Sequence, residues 1–393
     1  MERNRGREVH PLNKVSAKLA LRVGLAAFCV LAAVVGLFLW RAMTGPVSLG
    51  LLTSRLEAMI NADLTDVQLK FNDSIIEWSD GRQLAHLQFV GVEVVDLNGS
   101  VIARIPRANV TLSGAALLSG SAAPTKVELI GVTASVVRRS DGGVQLGLQV
   151  NDKVADEDTK SNPEDITKAV LQAMLQPKAD DLLTKYLNHF AITGAKLSIF
   201  DQESRSYWSA EQASLTFDRK ANGVVVAVKA PVKLADKSVW HFTASARYAN
   251  GKDNIALEAA FKPVRLSVLA KSGTGLKALS GFDIPVHGNA DCALGIAGKL
   301  GRCKFWLNAG TGSLQLPALK KEPVHLKEAA LTVEVDFASQ SYAIEEMTWK
   351  GKTIRGLISG TGAFAFAPDG ALASLSADWT AENISIDAPN VFE

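Results

Sequence analysis

A chain of 393 residues with 47% hydrophobic content is long enough for one large or two ordinary domains and can fill a sizeable core. Its 42 Lys and Arg against 40 Asp and Glu leave a net charge of +2, which argues against the concentrated basic footprint of a nucleic-acid binder. Three Cys residues exclude a disulfide-dense scaffold or a zinc-ribbon array, so stability comes mostly from burial.

The first element is the uncharged run VGLAAFCVLAAVVGLFLW, residues 23–40. At about 1.5 Å per residue it spans roughly 27 Å, close to the thickness of a bilayer's hydrocarbon core. Arg3, Arg5, Arg7, Lys14, Lys18 and Arg22 precede it, while Arg41 and Arg55 follow closely. Basic flanks stay on the cytoplasmic side, so the rest of the chain is expected to be translocated across a bacterial-type inner membrane. The run ends in Phe38, Leu39, Trp40 and Arg41 instead of the small residues of a cleavage site, which favours an uncleaved anchor. The expected organisation is a cytoplasmic tail (1–22), a transmembrane anchor (23–43), a first β segment (44–150), a linker with a helical insert (151–188) and a second β segment (189–393).

After the anchor, Leu49, Leu52, Leu56, Met59 and Ile60 fall near helical spacing and predict a short amphipathic helix. Two placements are open to it: the membrane surface, or the end of a β core. From Asp66 the hydrophobic period becomes two. Asp80-Gly81, Asn98-Gly99, Asp141-Gly142, Asn222-Gly223, Asn250-Gly251 and Asp369-Gly370 then fall between β-like runs. Asn or Asp followed by Gly tolerates the positive φ of a type I′ turn, so these pairs predict antiparallel hairpins.

The polar, acidic stretch 150–165 reads as a linker, and the apolar spacing after it predicts a helical insert at about 164–188. A second, connecting helix is expected within 264–279. The segments VELIGVTASVVRRSDGG from Val127 and NHFAITGAKLSIFDQES from Asn188 share one design of apolar run, Gly, alternating strand and polar turn. Gly-Thr-Gly at 273, 310 and 360 continues into neither a dinucleotide nor a phosphate-loop motif, and reads as bends.

No catalytic signature stands out. His10, His86, His189, His241, His287 and His325 are scattered one per segment with no metal-ligand spacing, and there is no nucleophile elbow. No enzyme activity, metal or cofactor is expected. Cys292 and Cys303 lie on the two arms of one predicted hairpin. Facing cysteines on antiparallel strands fit either a structural disulfide or two buried thiols.

The anchor, the unit LIGVTASVVRRSDGG, and the stretches HFAITGAKLSIFDQESRSYWSAEQASLTFD, FKPVRLSVLAKSGTGLKALSGFDIPVHGNADCALG and GTGSLQLPALKKEPVHLKEAALTVEVDF resemble the AsmA-like family, in particular its YhdP-type members. The likeness rests on spacing and texture over nearly the whole chain. It implies a mainly β fold: an elongated, twisted antiparallel β-groove in the periplasm with a few short helices. It implies phospholipids and the inner membrane as partners, with lipid passing towards the outer membrane, envelope integrity supported, and further envelope proteins completing the groove. Acyl chains need a dry, continuous wall and no directional bond, and alternating residues such as Val67, Leu69, Phe71, Leu87 and Phe89 are candidates to line it. The same residues would be core in a closed β-sandwich, which the alternation alone fits equally well. A scaffold or outer-membrane assembly factor that carries no lipid is the alternative function.

Overall fold

The computed structural model describes residues 47–48, 50, 53–61, 67–78, 85–96, 99–113, 116, 123–138, 144–147, 185–202, 205–234, 236–272, 274–296, 298–315, 323–352, 354–366 and 372–386. The expected anchor, the acidic linker and all but 185–188 of the expected helical insert lie outside these residues. Among the described residues no helix is long and apolar enough to cross a membrane.

Twenty-one strands among the described residues form one sheet. The first half holds β1 (Val47–Ser48), β2 (Val67–Lys70), β3 (Asp73–Trp78), β4 (Ala85–Asp96), β5 (Val101–Leu112), β6 (Pro124–Ile130), β7 (Thr133–Arg138) and β8 (Val144–Gly147). β2 and β3 are one line broken at Phe71 and Asn72, since both pair with β4. β6 and β7 are likewise two parts of one line, broken at Gly131, where φ is +74°.

The second half is a long meander of β9 (His189–Asp201), β10 (Ser206–Lys220), β11 (Gly223–Lys233), β12 (Val239–Ala249) and β13 (Asn254–Arg265). It continues through β14 (Phe282–Asp283), β15 (Pro285–Gly295), β16 (Leu300–Ala309), β17 (Gly312–Leu314), β18 (Val324–Asp336), β19 (Ser341–Gly351), β20 (Ile354–Phe366) and β21 (Leu372–Ile386). β14 continues the line of β15, and β17 that of β16.

Each Asn-Gly or Asp-Gly pair lies between two strands that pair antiparallel: β3 with β4, β4 with β5, β7 with β8, β10 with β11, β12 with β13, and β20 with β21. Gly99 and Gly251 take φ of +85° and +77°, the left-handed region that glycine enters without a Cβ penalty.

The two halves join by parallel pairing, which runs from Lys126 opposite His189 to Arg138 opposite Asp201. These are the two segments of shared design. Their glycines match in conformation, φ +74° at Gly131 and +63° at Gly194, and the Gly131 N–H donates to the Thr193 carbonyl at 2.8 Å. A parallel pair needs a long crossover, which residues 139–188 supply.

Two short helices accompany the sheet. Helix α1 (Thr53–Asn61) falls within the predicted amphipathic stretch and sits at the N-terminal end of the β core. Its Ile60 packs on the cluster of Phe71, Phe89, Val92 and Ile105. Asn61 grips β2 like a strand partner: Nδ2 donates to the Leu69 carbonyl at 2.8 Å and Oδ1 accepts from the Leu69 N–H at 2.7 Å. Between β13 and β14 the expected connecting helix is a short α2 (Leu266–Leu269) continued by 3-10 turns, Ala270–Ser272 and Thr274–Gly281.

The glycines of the third Gly-Thr-Gly correct the sequence reading. Gly310 and Gly312 do mark the break between β16 and β17, but Gly360 and Gly362 lie inside β20, paired on both sides, with no bend. Their function there is spatial, because neighbouring aromatic rings occupy the room that side chains would fill.

Candidate functional site

Cross-strand register decides which side chains share a face, because directly opposed residues point the same way and successive ones alternate. One row runs Phe190, Phe217, Val226, Ala246, Leu257, Cys292, Cys303, Val335, Tyr342, Gly362, Ala377. Two residues along the strands, a second row reads Ile192, Leu215, Val228, Ala244, Ala259, Ala290, Phe305, Val333, Ile344, Gly360, Trp379. A third reads Ala230, Phe242, Phe261, Gly288, Leu307, Leu331, Met347, Ile358, Ala381. The Tyr342 hydroxyl and the Trp379 indole N–H are the only polar side-chain groups in these rows.

The intervening rows point the other way and are mostly polar, with Trp306 among them opposite Asn289 and Thr332. Between the first two lies Thr216, Ala227, Ser245, Glu258, Asp291, Lys304, Glu334, Ala343, Thr361, Asp378. Ion pairs tie this face together: Arg247 to Glu258 through two bonds of 2.6 and 2.8 Å, Lys304 to Glu345 at 2.6 Å, and Arg302 to Glu334 at 3.2 Å. All are solvent-exposed, so each adds at most about 1 kcal/mol. Their main effect is to fix which face meets water.

The apolar face is covered at one end and open at the other. Phe217 is 2% exposed and Ile255 3%, whereas Trp379 is 59%, Leu375 60% and Ile384 52% exposed. A second sheet packed over the face would bury such residues, as a β-sandwich does. On β10 to β13 the helical segment after β13 folds back over one border of the face: Val268 packs with Leu234 and Val264 against Trp208, Trp240 and Phe261. The Trp240 and Phe261 rings stand edge to face at 5.8 Å.

Towards the C-terminal strands, aromatic rings replace side chains that β20 lacks. The Trp349 ring covers Gly356, Trp379 borders Gly360, and Tyr342 lies over Gly362, its hydroxyl donating to the Ser376 carbonyl at 3.1 Å. The result is a smooth apolar surface with polar backbone shielded beneath the rings.

Cys292 and Cys303 are joined by a disulfide on this face, linking β15 to β16 directly opposite one another. The disulfide lies within the first row, and Cys303 is fully buried.

Of the residues named from sequence, Leu87 continues the first row through Val110 and Val127 to Phe190, and Phe89 the second through Ala108 and Leu129 to Ile192. Phe71 and Phe89 are 7% and 8% exposed, stacked edge to face at 4.8 Å in the core beneath α1. Leu69 and Leu87 are half-buried against the same core, and Val67 is half-buried at the start of β2. The named residues occupy the covered end of the apolar side, and its most exposed residues, Leu375, Trp379 and Ile384, lie on β21. The signal for the rows was present in VWHFTASARYA and NIALEAAFKPV, whose alternating Phe242, Ala244, Ala246 and Tyr248 oppose Phe261, Ala259, Leu257 and Ile255. The ring-over-glycine pairs had no sequence signal, because register decides which ring meets which glycine.

Among the described residues no three His, Cys, Asp or Glu side chains gather as metal ligands would. His189 bonds Asp218 at 2.8 Å and His86 bonds Thr111 at 2.9 Å, both as local strand-to-strand contacts. Comparison with known proteins finds no matching family model and no curated relative.

Proposed function

We propose that this protein is a membrane-anchored lipid carrier of the AsmA-like type, in which the three apolar rows of β9 to β21 form the wall along which phospholipid acyl chains pass. The supporting observation is the continuity of those rows across successive strands, with the polar rows confined to the other face. An acyl chain gains from contact at roughly 25 cal/mol per Å² and needs no fixed partner, so a uniform wall lets it slide where a pocket would hold it. The basic N-terminal flank and the apolar segment 23–40 would hold the sheet at the periplasmic side of the inner membrane, from which lipid enters. Movement towards the outer membrane, and a contribution to envelope integrity, follow from the resemblance.

Photo-crosslinkers placed at Ile344 and Ile358 of the full chain in membranes test this. Phospholipid adducts are expected from both, and none from Thr348 on the opposite face. Equal labelling from all three positions, or protein adducts alone from Ile344 and Ile358, would overturn it.

One observation favours the scaffold alternative. Among the described residues β21 pairs with one strand alone, β20, and carries the exposed Leu375, Trp379 and Ile384. An edge strand of that kind accepts a strand from another protein. Crosslinks from Ile384 to protein, with Ile344 and Ile358 silent towards lipid, would favour that reading.

A further inference from the structure

The polar face carries a basic trough unrelated to the apolar rows. Where β14 and β17 meet the start of β18, an open cavity of about 650 Å³ is lined by Arg265, Thr311, Ser313, His325, Lys327 and Lys352, with Asp283 at its wall. These side chains come from five separate stretches of chain: the end of β13, β14, the region of β17, the start of β18 and the residue after β19. Register brings them together: Asp283 opposes Ser313, which opposes His325.

The charges in the trough do not cancel. Asp283 is already engaged, accepting the Ser267 hydroxyl at 2.8 Å and Arg265 Nη1 at 3.1 Å. Arg265 also donates Nη1 to the Asp283 carbonyl at 3.2 Å. That clamp sets the guanidinium in place while Nε and Nη2 make no bond among the described residues. Lys327 and Lys352 have no ion-pair partner among the described residues. On the same face Arg247, Arg302 and Lys304 are each paired with a carboxylate. Gly312 allows the close approach that forms the trough, since a Cβ there would collide with the Asp283 carbonyl and with Ile284.

We propose that this trough binds a phosphate-bearing anion. A preset guanidinium edge accepts a phosphate through paired N–H donors, and two mobile ammonium groups add point charges around it. The ligand is either a phospholipid headgroup or a free phosphate compound. The site lies on the face opposite the acyl-chain wall and stands without the lipid-carrier reading.

Binding to the full detergent-solubilised chain is measured with three probes: phosphatidic acid in mixed micelles, diacylglycerol in the same micelles, and inorganic phosphate alone. Phosphatidic acid is expected to bind at least tenfold more tightly than diacylglycerol, with the preference lost in the Lys327→Ala/Lys352→Ala double variant. A control pair at the opposite strand ends, Lys252→Ala/Lys299→Ala, removes the same charge and should leave the preference intact. Inorganic phosphate that binds wild type and not the double variant identifies a free phosphate compound as a sufficient ligand, whereas preference for phosphatidic acid alone identifies the lipid headgroup. Absence of binding by both phosphate probes, or equal loss in the control pair, would overturn the site. Retention of diacylglycerol and phosphatidic acid without preference would reject the trough and leave the acyl-chain wall standing.

Discussion

The ring of Trp349 on β19 lies over Gly356, its directly opposed partner on β20, in the space where a side chain would begin. Substituting Gly356→Val therefore forces the indole off its neighbour, a case of overpacking that costs about 1–3 kcal/mol. Thermal unfolding should show a lowered midpoint, and tryptophan fluorescence should report an indole moved into water. Ser359→Val, on the polar face of the same strand, should leave both signals near wild type.

The hairpin frame was legible because its cause is local. Gly99 and Gly251 take the left-handed conformation that only a few residues adopt, and two-residue spacing marks the flanking strands. The similarity of the segments beginning at Val127 and Asn188 was also visible, but not that they lie parallel, side by side, with their glycine breaks matched. That pairing depends on a crossover of some fifty residues, and nothing in either segment encodes it. Which part of the apolar side is covered was hidden for a similar reason. Alternation around Phe71 and alternation around Phe242 look alike in sequence, and only α1, folding back through Ile60 and Asn61, distinguishes a covered strand from an open one.

The Cys292–Cys303 disulfide closes a short loop, with a sequence separation of 11. Chain-entropy reasoning assigns such a loop about 3 kcal/mol of stabilisation. In the Cys292→Ala/Cys303→Ala variant, amide exchange in the 291–304 hairpin should speed up by about a hundredfold, the factor corresponding to that energy. Strands β10 and β11, several positions away in the sheet, should exchange as before. A uniform acceleration across the sheet would instead mean that this hairpin unfolds only with the whole.

Asp283 should titrate below its ordinary range, chiefly because the Ser267 hydroxyl donates to its carboxylate and secondarily because Arg265 does. A depressed folded-state pKa adds stability above the unfolded value, and that contribution is lost as pH falls through the folded one. Ser267→Ala removes the leading cause, so the Asp283 pKa should rise towards the ordinary carboxylate value. Carbon-detected NMR titration of the aspartate carboxyls reads this directly. An unchanged Asp283 in the variant would assign the depression to Arg265.

Leu331 and Thr332 are neighbours on β18 that point to opposite faces, the first opposing Leu307 and Met347 and the second opposing Trp306 and Glu346. A carboxylate at position 331 would stand in the middle of the third apolar row, and an acyl chain passing it would strip water from a charge that has no partner there. Leu331 is only half-buried, so the charge stays solvated in the lipid-free protein and the fold should tolerate it. Phospholipid co-purifying with the full Leu331→Glu chain should therefore fall severalfold, while Thr332→Glu, which adds the same charge on the wet face, should carry a wild-type amount. Equal lipid content in the two variants, at equal thermal stability, would mean that acyl chains do not travel along this wall.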